Sequence, residues 1–273
     1  MTRLININEE KCIGCGLCAK DCLSNIISIR DGKAVIDDMR NCIFCGHCGA
    51  VCPVNAIEFV EDEYSDDIME FENFKNMDYE NLNQMIRMKR SIRQFKDKPV
   101  DIELIDKILD IGRVSPTGGN RQPLKFTVVN STEKLEELKL LAMNTLYDYG
   151  QKIEGRYKQV FSNMLLNYKD SGYDRLFYNA TSLIVIYGDP KDSSNMHIDG
   201  GIAGGQMTLI AETLGLGSCF IGFLNFAASQ NSDIYKFLKI PEGNRMITNI
   251  VLGYKDVEYM RTVPKKKLTV NYL

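Results

Sequence analysis

Apolar residues recur at helical spacing in VDIELIDKILDIGRV, where Ile102, Ile105, Ile108, Leu109 and Gly112 form one stripe behind Asp101, which is placed to cap it. KFTVVN reads as a strand, and Ser131 or Thr132 can cap the helix EKLEELKLLAM that follows. SLIVIYGD is an apolar run of strand length, GIAGGQMTLIAETLG a glycine-bearing helix, and SCFIGF and MITNIVLGY two further strands. From about Met85 onward this alternation predicts an α+β sheet domain with a sizeable core.

Before that point the pattern changes. AIEFV is strand-like, but cysteines dominate: KCIGCGLCAKDC places Cys12, Cys15, Cys18 and Cys22 in C-x-x-C-x-x-C-x-x-x-C spacing. NCIFCGHCGAVCP repeats it with Cys42, Cys45, Cys48 and Cys52, so eight of nine cysteines fall in the first 52 of 273 residues. A net charge of -3 makes no electrostatic case for nucleic acid. No apolar run approaches the roughly 18–20 residues of a spanning helix, and MTRLININEEKC lacks the apolar core of a secretory signal. The expectation is a cytoplasmic protein whose cysteines are reduced metal ligands rather than disulfides.

Zinc uses two C-x-x-C pairs per tetrahedral site, which leaves the third and fourth cysteine of each block unexplained. An iron–sulfur cubane accounts for both: three thiolates on one loop hold three corners, and a distant fourth holds the last. Residues 1–60 resemble the bacterial two-cluster ferredoxins, in which the fourth cysteine serves the other cluster. That resemblance implies one [4Fe–4S] cluster on Cys12, Cys15, Cys18 and Cys52, and a second on Cys42, Cys45, Cys48 and Cys22. Gly14, Gly16, Gly46 and Gly49 suit backbone wound closely around sulfide. Pro53 follows Cys52 as the pattern expects, whereas Leu23 stands after Cys22 where a second proline is usual. His47, inside a complete cysteine set, reads as an exposed loop residue.

Residues 61–84 read as a solvated linker, since Glu61–Glu80 carries nine acidic side chains against the single Lys75. Its aromatics Tyr64, Phe71, Phe74 and Tyr79 argue that it lies against a surface.

Four stretches of the larger domain belong together: KRSIRQF (89–95), SPTGGNRQP (115–123), LGLGSCFIGF (214–223) and VPKKKL (263–268). Basic groups at both ends of the domain, with glycine-rich backbone between, suit a phosphate with an aromatic ring system beside it. In order and spacing, together with Leu252, Gly253 and Tyr254, they resemble the FMN-dependent nitroreductases over residues 85–273. The resemblance implies that Lys89, Arg90, Ser91 and Arg93 meet the FMN phosphate, ribityl chain and pyrimidine edge, with Lys265 and Lys267 completing the cradle. Pro116, Thr117, Gly118 and Asn120 would reach the flavin bound mainly by the other subunit of an intertwined homodimer. Gly222 would offer its N–H toward flavin N5. Gly204 and Gly205, each costing about 1 kcal/mol in mid-helix, would be offset by close helix approach at the subunit interface. KLTVNYL would be an exchanged arm. Cys219 reads as a small buried side chain and His197 as a structural or surface residue. The tyrosine-rich segment 146–179 would cover the flavin.

The expected architecture is thus a ferredoxin-like two-cluster domain (1–60), an acidic linker (61–84) and a nitroreductase-like α+β domain (85–273). The expected function is an FMN oxidoreductase fed single electrons through its clusters by an external ferredoxin or other low-potential donor, or by NAD(P)H. Its acceptor would be a small aromatic, nitro, quinone or unsaturated molecule, with no catalytic side chain required beyond those that hold FMN. The rival is an electron-transfer protein without a dedicated organic substrate.

Overall fold

The computed structural model describes residues 5–59, 68–69 and 77–273. They divide into two units, one containing residues 5–59 with Gly119–Arg121, the other Met77–Gly118 and Gln122–Leu273.

The first unit runs β1 (Ile5–Ile7), α1 (Leu17–Asp21), β2 (Ile27–Arg30), β3 (Lys33–Ile36), α2 (His47–Ala50) and β4 (Ile57–Phe59). β1 pairs antiparallel with β4, Ile5 opposite Phe59, which ties the start of the unit to its end. β2 and β3 form a hairpin turning at Asp31 and Gly32, whose φ of 49° and 74° is what a two-residue turn of the twisted-hairpin type requires. Ile5, Ile26, Ile27, Phe44 and Ile57 supply a small core to which Cys12 and Cys18 also belong.

The cysteine repeat is also a structural repeat. Gly16 (φ 76°, ψ 0°) and Gly46 (φ 74°, ψ -6°) start α1 and α2 in the same left-handed conformation, which a side chain disfavours. Gly14 and Gly49 correct the expectation about sulfide. A Cβ on Gly14 would lie 2.0 Å from the Gly32 carbonyl oxygen, and one on Gly49 2.6 Å from the Phe59 ring. Both glycines make room for the protein's own atoms.

The second unit runs α3 (Tyr79–Met88), α4 (Ile102–Val114), β5 (Lys125–Val129), α5 (Thr132–Gly150), α6 (Arg156–Ser171), β6 (Ser182–Gly188), α7 (Met196–Thr213), β7 (Leu216–Phe220), α8 (Gly222–Gln230), α9 (Asp233–Phe237) and β8 (Arg245–Tyr254). The sheet has the order β5-β6-β8-β7 and every pair is antiparallel. Alternate side chains of β6 enter different cores. Leu183 and Val185 pack among residues of α5, α6 and α8, while Ile184 and Ile186 pack with α4 and α7. Helices on both faces explain why SLIVIYG is apolar without alternation.

One local expectation held and five changed. Ser131 does cap α5, accepting the Lys134 N–H at 3.3 Å. Asp101 does not cap α4 with its side chain; its carboxylate instead accepts the Tyr254 hydroxyl at 3.0 Å. The strand read through Phe223 stops at Phe220, and Gly222 opens α8. Helix α3, capped by Asp78, begins within the stretch read as linker, and its Tyr79 is exposed rather than laid on a surface. Tyr64, Phe71 and Phe74 lie outside the described residues. A Cβ on Gly204 would meet the Phe220 ring at 2.9 Å and Ile186 at 3.6 Å, so this glycine seats α7 on its own sheet, whereas Gly205 faces open space. Residues 261–273 are exposed and form no strand.

Candidate functional site

Two cavities of the first unit are walled by cysteines. One is lined by Cys12, Cys15, Cys18 and Cys52, the other by Cys42, Cys45, Cys48 and Cys22. Each cavity therefore takes three thiols from one block and the fourth from the other. Among the described residues no three metal-ligating side chains converge closely enough for a single ion. Four thiols spread around one cavity suit a four-iron cluster, which offers a separate corner to each, better than a zinc ion that needs all four at about 2.3 Å.

The backbone already points at the sulfurs. Ala34 N–H approaches Cys12 Sγ at 3.4 Å and Ala56 N–H approaches Cys52 Sγ at 3.2 Å. Such N–H···S bonds stabilise thiolate charge. The Ala34 and Gly14 amides lower the Cys12 pKa, with Lys33 adding to them against burial. Burial instead raises Cys18, and pushes the Cys48 thiol up to about 11. Such a thiol is costly to ionise until a metal shares its charge. His47 is exposed, its Nδ1 3.2 Å from the Cys45 carbonyl oxygen.

In the second unit β7 leads to the start of α8, and Gly222 is that helix's first residue, whose N–H has no partner within the helix. Nothing lies within 4 Å of where its Cβ would be. Gly222 lines a cavity of about 620 Å³ with Tyr149, Tyr157, Phe161, Tyr178 and Phe220. The wall is an interlocked set of rings. Phe161 stacks on Phe226 (5.7 Å, 19°), meets Phe223 edge-on (5.5 Å) and Tyr149 edge-on (6.3 Å). Tyr149 of α5 and Tyr157 and Phe161 of α6, all from the tyrosine-rich segment, thus form one side of the cavity.

The basic segment runs beside β7. Ile92 N–H donates to the Ser218 carbonyl at 2.9 Å, and Ser91 bridges to Ser218. Arg93 sits 5.7 Å from the centre of the Tyr178 ring. Arg90 Nη1 donates to the Lys89 carbonyl at 2.6 Å, but its Nε is buried without a partner. Burial lowers the Lys89 pKa, partly opposed by Glu212. A desolvated ammonium on Lys89, followed in sequence by a guanidinium with an unpartnered N–H on Arg90, fits an anion such as the FMN phosphate. Cys219, buried, has its thiol raised chiefly by burial, which Arg93 opposes; this is a packed side chain rather than a ready thiolate.

Other expected residues are engaged elsewhere. Gly118 N–H donates to Asp199 at 2.9 Å, Thr117 Oγ1 accepts the Gln122 N–H at 3.0 Å, and Asn120 donates to the Phe44 carbonyl at 2.7 Å. Pro116 is exposed in the same loop, between buried Ser115 and half-buried Thr117. Lys265 and Lys267 lie in the exposed C-terminal stretch. His197 is exposed on the first turn of α7. Sequence reasoning missed Asp174, buried with Lys139 at 3.0 Å, because no local pattern joins two residues 35 positions apart.

Comparison with known proteins bears on the fold and the family. An Archaeoglobus fulgidus protein, provisionally named an NADH dehydrogenase/NAD(P)H nitroreductase, is 29% identical over 175 residues, covering 63% of this chain and 83% of the relative. The crystal structure of a Desulfitobacterium hafniense nitroreductase with bound FMN is 26% identical with a TM-score of 0.58, covering 70% of this chain and 98% of that one. A Bacteroides fragilis nitroreductase with bound FMN shares the fold (24% identity, TM-score 0.57, 70% and 98% coverage). Residues 11–56 match the 4Fe-4S dicluster domain, and residues 86–254 match the nitroreductase family, so the chain belongs to the nitroreductase family and carries an N-terminal iron–sulfur domain.

Proposed function

We propose that this protein is an FMN-dependent oxidoreductase that takes single electrons through two [4Fe–4S] clusters and reduces a small aromatic, nitro, quinone or unsaturated acceptor. When bound, the clusters carry one electron at a time and FMN collects them for delivery in pairs. Lys89, Arg90, Ser91 and Arg93 hold the phosphate, ribityl chain and pyrimidine edge, and Gly222 offers the first free N–H of α8 to the ring. The aromatic wall excludes water and packs on a flat acceptor. Cys12, Cys15, Cys18 and Cys52 hold one cluster, and Cys42, Cys45, Cys48 and Cys22 the other.

The observation that carries the reading is the aromatic cavity at Gly222, since a carrier needs only an exposed flavin edge. A homodimer is part of the proposal. It supplies cover for exposed apolar side chains such as Leu268 and Tyr272, and it brings the partner's Pro116, Thr117, Gly118 and Asn120 toward the flavin, with Lys265 and Lys267 completing the cradle. Among the described residues no helix is long and apolar enough to cross a membrane. We place the protein in the cytoplasm, where thiols stay reduced. An external ferredoxin or similar low-potential protein is the favoured donor over NAD(P)H.

The test is anaerobic oxidation of the reduced, cluster-loaded holoprotein by nitroaromatic and quinone acceptors. Stoichiometric two-electron turnover with saturable acceptor dependence supports an enzyme. Oxidation by redox proteins alone, with none by small acceptors, favours the carrier.

A further inference from the structure

The cavity has one charged residue on its wall, Arg175. It is exposed and, among the described residues, forms no ion pair or side-chain hydrogen bond. Its place is nevertheless fixed. The neighbouring Asp174, buried, accepts the N–H groups of Leu176 and Phe177 on one carboxylate oxygen, both at 2.9 Å, and that of Asn179 on the other at 3.0 Å. Lys139 pairs with Asp174 at 3.0 Å and with Glu136 at 3.0 Å, and the Tyr168 hydroxyl donates to Glu136. The loop that carries Arg175, Leu176 and Tyr178 into the cavity is thus tied to α5 through the Lys139–Asp174 pair before Arg175, and folded back on Asp174 by the backbone N–H groups after it.

Resting on the function proposed above, we propose that Arg175 recognises the substrate: the acceptor is a flat aromatic or conjugated molecule bearing a carboxylate, which pairs with the guanidinium while the ring lies among the aromatic side chains. An arginine fork matches a carboxylate with two parallel hydrogen bonds. The aromatic wall holds the ring beside the exposed guanidinium, and Arg175 has no protein carboxylate to displace first. The flavin's own phosphate is the other anion the residue could meet, and the experiment separates the two.

The probes are 2-naphthoate and 2-naphthylmethanol, which share a ring system and differ in charge. Their binding to the FMN-loaded holoprotein is measured by calorimetry alongside flavin content. Naphthoate is expected to bind at least about tenfold more tightly than the alcohol. Arg175→Met removes that preference, lowers naphthoate affinity specifically and leaves flavin content at the parent level. Arg175→Lys, a point charge without the fork, restores part of it. Equal binding of both probes to the parent, or an unchanged preference in Arg175→Met, overturns the inference. Loss of FMN in Arg175→Met assigns the residue to the phosphate and overturns it as well. If the parent protein itself takes up no FMN, the proposed function fails, and this inference with it.

Discussion

The Lys139 ammonium lies 3.0 Å from the Asp174 carboxylate, with less than a tenth of either side chain exposed. Because Asp174 also collects three backbone N–H groups, its removal orphans several buried donors at once. Asp174→Ala is expected to destabilise the second unit by about 3 kcal/mol or more, within the range for breaking a buried pair. Thermal unfolding followed by the flavin signal checks this, and a melting temperature within a degree of the parent contradicts it.

The same pair carries a pH signature. Burial, the largest single influence, pulls the Lys139 pKa down, but the attraction and hydrogen bonds of Asp174 and Glu136 together outweigh it, and the net value lies above the ordinary lysine value. A folded-state pKa raised above the unfolded one gives stability that is present in full below the ordinary value and lost as pH rises through the raised one. The parent should therefore lose stability in the strongly alkaline range more steeply than Asp174→Ala. Parallel slopes for the two proteins would remove Lys139 from that role.

Lys89 behaves oppositely. Its pKa is lowered in the flavin-free protein, chiefly by burial, and a bound phosphate dianion would raise it again. FMN affinity should fall as pH rises above the lowered value, approaching tenfold per pH unit, until the flavin-bound lysine also loses its proton. Lys89→Met should bind FMN more weakly at neutral pH and lose this alkaline dependence. Fluorescence titration of FMN from pH 7 upward measures it; the same slope in the variant counts against Lys89 as a phosphate ligand.

The crossed cysteine sets make a prediction about iron. If Cys12 and Cys52 serve one cluster, Cys12→Ala and Cys52→Ala combined should lose only that cluster and retain about four irons. Cys12→Ala with Cys42→Ala should lose both. Iron and sulfide analysis after anaerobic reconstitution separates the cases, and loss of both clusters in the first double variant would return Cys52 to its own block.

Gly14→Ala should prevent assembly of the first cluster without touching a ligand. The new Cβ would stand 2.0 Å from the Gly32 carbonyl oxygen, on a residue with φ of 69°, so the loop holding Cys12 and Cys15 has to move. The clusters' contribution to the visible absorbance, after subtraction of the flavin's, should drop by about half after reconstitution. Full absorbance would show that the loop gives way at little cost.

Where spacing alone determines geometry, the sequence was informative. Two identical cysteine blocks dictate two similar loops, and the cavities collect the cysteines in the crossed sets that the ferredoxin pattern implies. The stripe Ile105, Ile108 and Gly112 is the buried face of α4, because a helix against a sheet must hide one side. Partnerships across the fold were not legible in the same way. Asp101 sits at the start of a helix and looks like a cap, yet a tyrosine 153 positions later takes its carboxylate. Gly204 was matched to a subunit interface, although the space it leaves is taken by Phe220 and Ile186. Arg175 falls within the tyrosine-rich segment 146–179, yet only the packing shows that it, among the charged residues there, borders the aromatic cavity.

The most direct test of the central claim is anaerobic bleaching of the flavin in the reconstituted holoprotein, with reduced ferredoxin or NADPH as donor. The measurement is repeated on Cys12→Ala combined with Cys42→Ala. Rapid bleaching by ferredoxin, lost in the variant while its flavin content is retained, is the predicted result. Reduction by NADPH alone, at the same rate in parent and variant, would contradict electron entry through the clusters.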